Sequence, residues 1–102
     1  MTEDYKQAER ELQEILGKPF NSLVFSLYNS ALISMGRISN PVTNKADIDL
    51  DQAQVTIEMV AMLKEKTVGN LDELEQKFIE SQLAELRFAF TASVKEEQDQ
   101  KK

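Results

Sequence analysis

Residues 49–78 read DLDQAQVTIEMVAMLKEKTVGNLDELEQKF, and this stretch decides the fold. Asp49 and Gln52 are spaced as a variant capping box, so a helix begins there. Leu50, Ala53, Ile57, Val60 and Ala61 recur at helical spacing, and Val55, Met59, Met62 and Leu63 are expected to widen that stripe. Val68-Gly69-Asn70 then breaks the chain. Gly69 suits the left-handed position past a helix end, and Asn70 with Glu73 reads as the next N-terminal cap pair. So short a connection forces two antiparallel helices.

Downstream, the pattern continues as one helix from Leu71 to about Val94, roughly 35 Å long. Leu71, Leu74, Phe78 and Ala89 form one of its stripes, and Ile79, Leu83, Leu86, Phe90 and Val94 form the other. Lys95 to Lys102 is a charged tail, expected to fray. Glu73 and Lys77 read as an i,i+4 surface pair.

Upstream, residues 37–46 contain the turn formers Asn40-Pro41 and Asn44 and read as an exposed, tolerant loop. Before the loop lies a helix at about 20–35, opened by Pro19 and closed by Gly36. Its apolar residues, from Phe20 to Met35, cover about 200° of arc, where an ordinary surface helix has a stripe of about 100°. The remainder holds Ser22, Ser26, Asn29 and Ser30, with Ile33 among them, and no charge. Pro19 to Gly36 is uncharged throughout, but its serines and asparagines favour a buried helix in a soluble protein over a membrane span. The first helix, about 2–16, has a thin stripe of Tyr5, Ala8, Leu12, Ile15 and Leu16, with Gly17 as its stop. Such a helix is either mobile or docked on a partner.

The expected architecture is therefore all-α. Three core helices (about 20–35, 50–67 and 71–94) contain an antiparallel hairpin, and an N-terminal helix precedes them. Residues 1–17 form that amphipathic helix, 18–94 the core domain and 95–102 the tail.

The chain has 102 residues, 41% of them apolar, which suits one globular domain with one core. A net charge of −6 disfavours nucleic-acid and anionic-lipid surfaces. Cysteine and histidine are absent, which removes thiolate chemistry, disulfides, zinc knuckles and the usual neutral-pH base. The charged residues from Met1 to Leu16 do not read as a secretory leader, so the cytoplasm is the expected location.

From Phe20 onward the chain resembles a bacterial family of small proteins catalogued only as a domain of unknown function. The resemblance rests on Phe20 to Leu27, on Asn40-Pro41-Val42-Thr43, and on Asp49-Leu50 leading to Met62-Leu63-Lys64-Glu65-Lys66-Thr67-Val68-Gly69-Asn70-Leu71. Ala84-Glu85-Leu86-Arg87 completes it. It spans residues 20–91. Asn44 stands where such sequences tend to have Gly, and both tolerate a left-handed backbone. The resemblance implies a helical protein and carries over no activity.

Few residues invite a chemical reading. Asp47, Asp49, Asp51 and Glu58 have the spacing of a calcium loop, but Gln52 stands where that loop needs Gly, and residues 50–57 read as helix. Lys64 to Thr67 reads as a basic last turn complementing the helix dipole. Arg37, Asn40 and Asn44 are the loop candidates for binding. No catalytic residue, metal site or cofactor is expected.

The reading is of a non-catalytic protein that self-associates, as a homodimer, and binds a further, unidentified protein. Interface candidates are Ser22, Phe25, Ser26, Tyr28, Asn29 and Leu32 on the second helix, and Leu83, Arg87 and Phe90 on the fourth. The alternatives are a membrane-peripheral protein, or a small-ligand binder or enzyme using carboxylates, Lys64 and Arg37.

Overall fold

A computed structural model describes residues 2–45 and 47–100, with the backbone alone for Thr2 and Glu3. Met1, the loop's Ala46 and the tail's Lys101 and Lys102 lie outside the described residues. The described residues form four helices, α1 (Thr2–Leu16), α2 (Pro19–Ser34), α3 (Leu50–Lys66) and α4 (Glu73–Gln100), and no strand. No helix among them is long and apolar enough to cross a membrane.

The helix ends follow from local chemistry. Lys18 caps α2 in extended backbone, and Pro19 occupies the first turn, where its missing N–H costs no hydrogen bond. At the other end the Gly36 N–H donates to Ile33 O and the Arg37 N–H to Leu32 O, with Gly36 at φ +77°. That is a Schellman motif. Asp49 caps α3 by accepting the Gln52 N–H at 3.1 Å. Its own N–H donates to Ser34 O at 2.7 Å, so the end of α2 lies beside the start of α3 and the two helices run antiparallel.

The cap of α4 departs from the expectation. Asp72, not Asn70, accepts the Glu75 N–H at 2.8 Å, and Glu75 Oε1 accepts the Asp72 N–H at 2.9 Å. The capping box sits two residues later, and the helix starts at Glu73. Lys18 Nζ donates to Asp72 Oδ2 at 2.6 Å, a second partner that Asn70 does not have. The far end differs too. α4 runs past Val94 to Gln100, so the charged stretch expected to fray is helical through Gln100.

Three rungs set α2 parallel to α4. Lys18 pairs with Asp72 at one end. Tyr28 Oη donates to Glu85 Oε2 at 2.9 Å in the middle. Arg37 Nε donates to Ser93 Oγ at 3.1 Å at the other end. With α3 antiparallel to both, the core forms from Val24, Ala31 and Met35, from Ala53, Ile57 and Val60, and from Ile79, Leu83 and Leu86. Burying each large side chain contributes about 1.5–3 kcal/mol. Thr56 is buried among them, its hydroxyl donating to Gln52 O, a bond that spares it an unsatisfied donor.

The α3 stripe is narrower than expected. Val55, Met59 and Met62 do not widen it; all three are more than two-fifths exposed. At about 100° per residue, Met62 lies about 180° from Ala53, so the residues that contact α2 and α4 leave these three on the opposite side.

α1 meets the bundle only sparsely. Asn21, fully buried, donates from Nδ2 to Ile15 O at 2.9 Å, and Ser22 Oγ donates to Leu16 O at 2.5 Å. Two side chains of α2 thus cap the last carbonyls of α1 and hold the corner between them.

Candidate interaction site

The α2 candidates divide into two groups. Phe25, Tyr28 and Leu32 are half-buried. Phe25 and Tyr28 stack on each other with ring centroids 6.2 Å apart. Burial, then the hydrogen bond to Glu85, raises the Tyr28 hydroxyl above its usual pKa. Tyr28 is therefore spent largely on the chain's own α2–α4 seam, and Leu32 packs against the core. Ser22, Ser26 and Ser30 are exposed and Asn29 is half-buried. Ser22 is engaged in the α1 corner, and Ser26 Oγ donates to Ser22 O at 3.0 Å. The charge-free face exists, but it offers small polar groups, and of its larger apolar residues only Leu23, at its edge, is largely exposed.

The α4 candidates also separate. Leu83 is a core residue and reaches no surface, so it is withdrawn as an interface residue. The second stripe of α4 points between α2 and α3, and Leu83 lies at its centre. Arg87 is exposed and makes no ion pair among the described residues. Phe90 is half-buried. Arg87 and Phe90 line a groove of about 360 Å³ between α3 and α4, with Ile57, Glu58 and Ala61 opposite. An adjoining hollow of about 300 Å³ continues along α4 past Val94 and Lys95.

The loop candidates are structural. Arg37 binds Ser93 and also pairs through Nη2 with Glu96 Oε1 at 3.2 Å. Asn40 Oδ1 accepts the Val42 N–H at 2.9 Å, which closes an Asx turn. Asn44 takes the left-handed φ of +56°. The loop is mostly exposed, as expected, but its polar residues fold the loop and tie it to α4.

The carboxylates and lysines do not converge. Asp49 is spent on its cap, and no group of three or more acids with metal-binding geometry occurs among the described residues. Lys64 lies in the last turn of α3 and Arg37 at the opposite end of the bundle, beside the late turns of α4. At the α2–α4 entrance the Lys18–Asp72 hydrogen bond holds the Asp72 carboxyl below its usual range and the Lys18 ammonium above its own.

Three surfaces lie outside the interface candidates read from the sequence. Phe88 on α4 is 79% exposed. Helical spacing places it about 160° from Leu86, a signal available without a structure. Val55, Met59 and Met62 form the second surface. The third, α1, reads in the sequence as mobile or docked on a partner, though its residues are not named among the interface candidates; Tyr5 is 72% and Leu12 51% exposed.

No curated protein and no solved structure matches the chain. A family model does, over residues 18–92, from the cap of α2 to the later turns of α4. By that match the chain belongs to the family described as a domain of unknown function (DUF1844).

Proposed function

We propose that the protein acts without catalysis of its own, in the cytoplasm, as a self-associating helical module that binds other proteins. The observation that carries this reading is the set of large apolar side chains on outward helix faces: Tyr5 and Leu12, Val55, Met59 and Met62, and Phe88. Water contact at such groups is relieved by association, and faces of this kind mark interfaces. A twofold homodimer is the simplest closed arrangement. Half-burial of Phe25, Tyr28 and Leu32 within the chain moves the weight of the interface away from α2.

Light scattering coupled to size exclusion, at low micromolar concentration, tests the reading. The expected mass is twice 11.6 kDa. A monomer throughout the micromolar range refutes self-association. The membrane-peripheral alternative rests on the exposed α1 stripe alone, and flotation with zwitterionic and anionic vesicles separates it from association between chains.

A further inference from the structure

The self-association reading leaves open which surfaces meet, and the following inference depends on it. α1 is anchored through its last turn alone, where Ile15 and Leu16 are half-buried; Tyr5, Ala8 and Leu12 are exposed along the remainder of its stripe. At about 100° per residue, Asp4 and Glu11 edge that stripe on one side and Glu9 on the other, while Lys6 and Arg10 lie on the opposite face. The uncovered arm is thus apolar with acidic edges.

The α3–α4 groove is its complement. Ile57, Ala61, Phe90 and Val94 supply apolar surface. Arg87 and Lys95 supply two cations against the single acid Glu58, in a chain that carries 18 acidic and 12 basic residues. Lengths agree as well: Tyr5 to Leu12 spans about 10 Å and Arg87 to Gln98 about 16 Å.

The arm cannot fill the groove of its own chain. The end of α1 is tied to the start of α2, which Lys18 ties to Asp72 at the start of α4. Tyr5 lies about 16 Å from Leu16 along α1, whereas Arg87, the nearest α4 residue of the groove, lies about 22 Å beyond Asp72. We propose that α1 of each chain lies in the α3–α4 groove of a second copy, forming a twofold, arm-exchanged dimer. α1 precedes the matched residues 18–92, so the arm lies outside the stretch that the family model describes.

The test uses the full chain. Leu12→Asp leaves the bundle core untouched, so circular dichroism should show native helix content. It should raise the dimer Kd at least about thirtyfold, by placing an unpaired carboxylate in an apolar contact. Arg87→Glu with Lys95→Glu should weaken the dimer, and adding Glu9→Lys with Glu11→Lys should restore it. Because the chain has no cysteine, Ala8→Cys chains mixed with Thr91→Cys chains should form a covalent dimer on oxidation. Ala8→Cys mixed with Val55→Cys should not. A dimer indifferent to Leu12→Asp and to both charge reversals overturns the arm exchange and leaves self-association standing. Equal cross-linking to Thr91→Cys and Val55→Cys also overturns it. A wild-type monomer overturns both.

Discussion

Replacing Gly36 by Ala probes the joint between α2 and the loop. Gly36 has φ +77°, where an L residue with a Cβ costs about 1–2 kcal/mol. The new Cβ also stands 2.7 Å from Ile48 Cγ1 and 3.3 Å from its Cδ1, well inside contact distance. Ile48 is exposed, so it yields by leaving its rotamer, at about 0.5–1.5 kcal/mol, and the core stays in place. Against this, Ala restricts the unfolded chain and returns about 0.4–1 kcal/mol. The net loss is about 0.5–3 kcal/mol, and each kcal/mol corresponds to a fall in Tm of about 4–8 °C for a domain near this size. Urea unfolding followed by far-ultraviolet circular dichroism, at one protein concentration, measures it. Repeating the exchange in an Ile48→Ala background removes the contact and leaves the backbone cost, so the loss should shrink by about 0.5–1.5 kcal/mol. A loss under about 0.5 kcal/mol in the wild-type background refutes the left-handed Schellman end. An equal loss in both backgrounds refutes the Ile48 contact.

Four further outcomes follow from the same geometry. Leu86→Ala should cost about 2–5 kcal/mol in urea unfolding, whereas Phe88→Ala should change stability by no more than about 0.5 kcal/mol, since one is buried and the other exposed. Asn44→Ala should cost about 1 kcal/mol and Asn44→Gly nothing measurable by thermal melt, because φ there is +56°. Asp49→Ala should lower stability by about 1 kcal/mol through loss of the α3 cap, read from the urea midpoint. Lys18→Met should destabilise at neutral pH and progressively less on acidification. The Asp72 pKa is lowered from 3.8, so its stabilisation is present above that value and is lost as pH falls through the folded pKa. The Lys18 pKa is raised from 10.5, so its share is present below that value and is lost as pH rises through the folded pKa. A wild-type to Lys18→Met difference in urea midpoint that is constant across this range contradicts the assignment.

Helix boundaries were the most legible feature, because they are set by residues a few positions apart. Pro19, Gly36, Asp49 and Gly69 act through backbone geometry and nearby hydrogen bonds, and each stands where the structure uses it. The α4 cap was misplaced because Asn70-Glu73 and Asp72-Glu75 are locally equivalent. A lysine 54 residues away distinguishes them. The loop polars were legible as turn formers, but the Arg37 bonds to Ser93 and Glu96 join parts of the chain more than 50 residues apart and leave no periodic trace.

The interaction surfaces show the same division. Helical spacing on α3 set Ala53, Ile57 and Val60 on the main stripe correctly, but it read Val55, Met59 and Met62 as widening that stripe, where the structure leaves them outward. On α2 an arc of about 200° could not be apportioned between core and interface. By itself, the sequence determined four helices, the α3 cap, the α3–α4 hairpin and the absence of cysteine and histidine, all functions of residue type and short spacing. The tertiary structure alone decided that α2 runs parallel to α4, that Leu83 turns inward, and that Tyr5 and Leu12 are left uncovered. Those outcomes depend on which faces meet across long sequence separations, and a helix with more apolar surface than one neighbour can cover has no local reason to prefer either face.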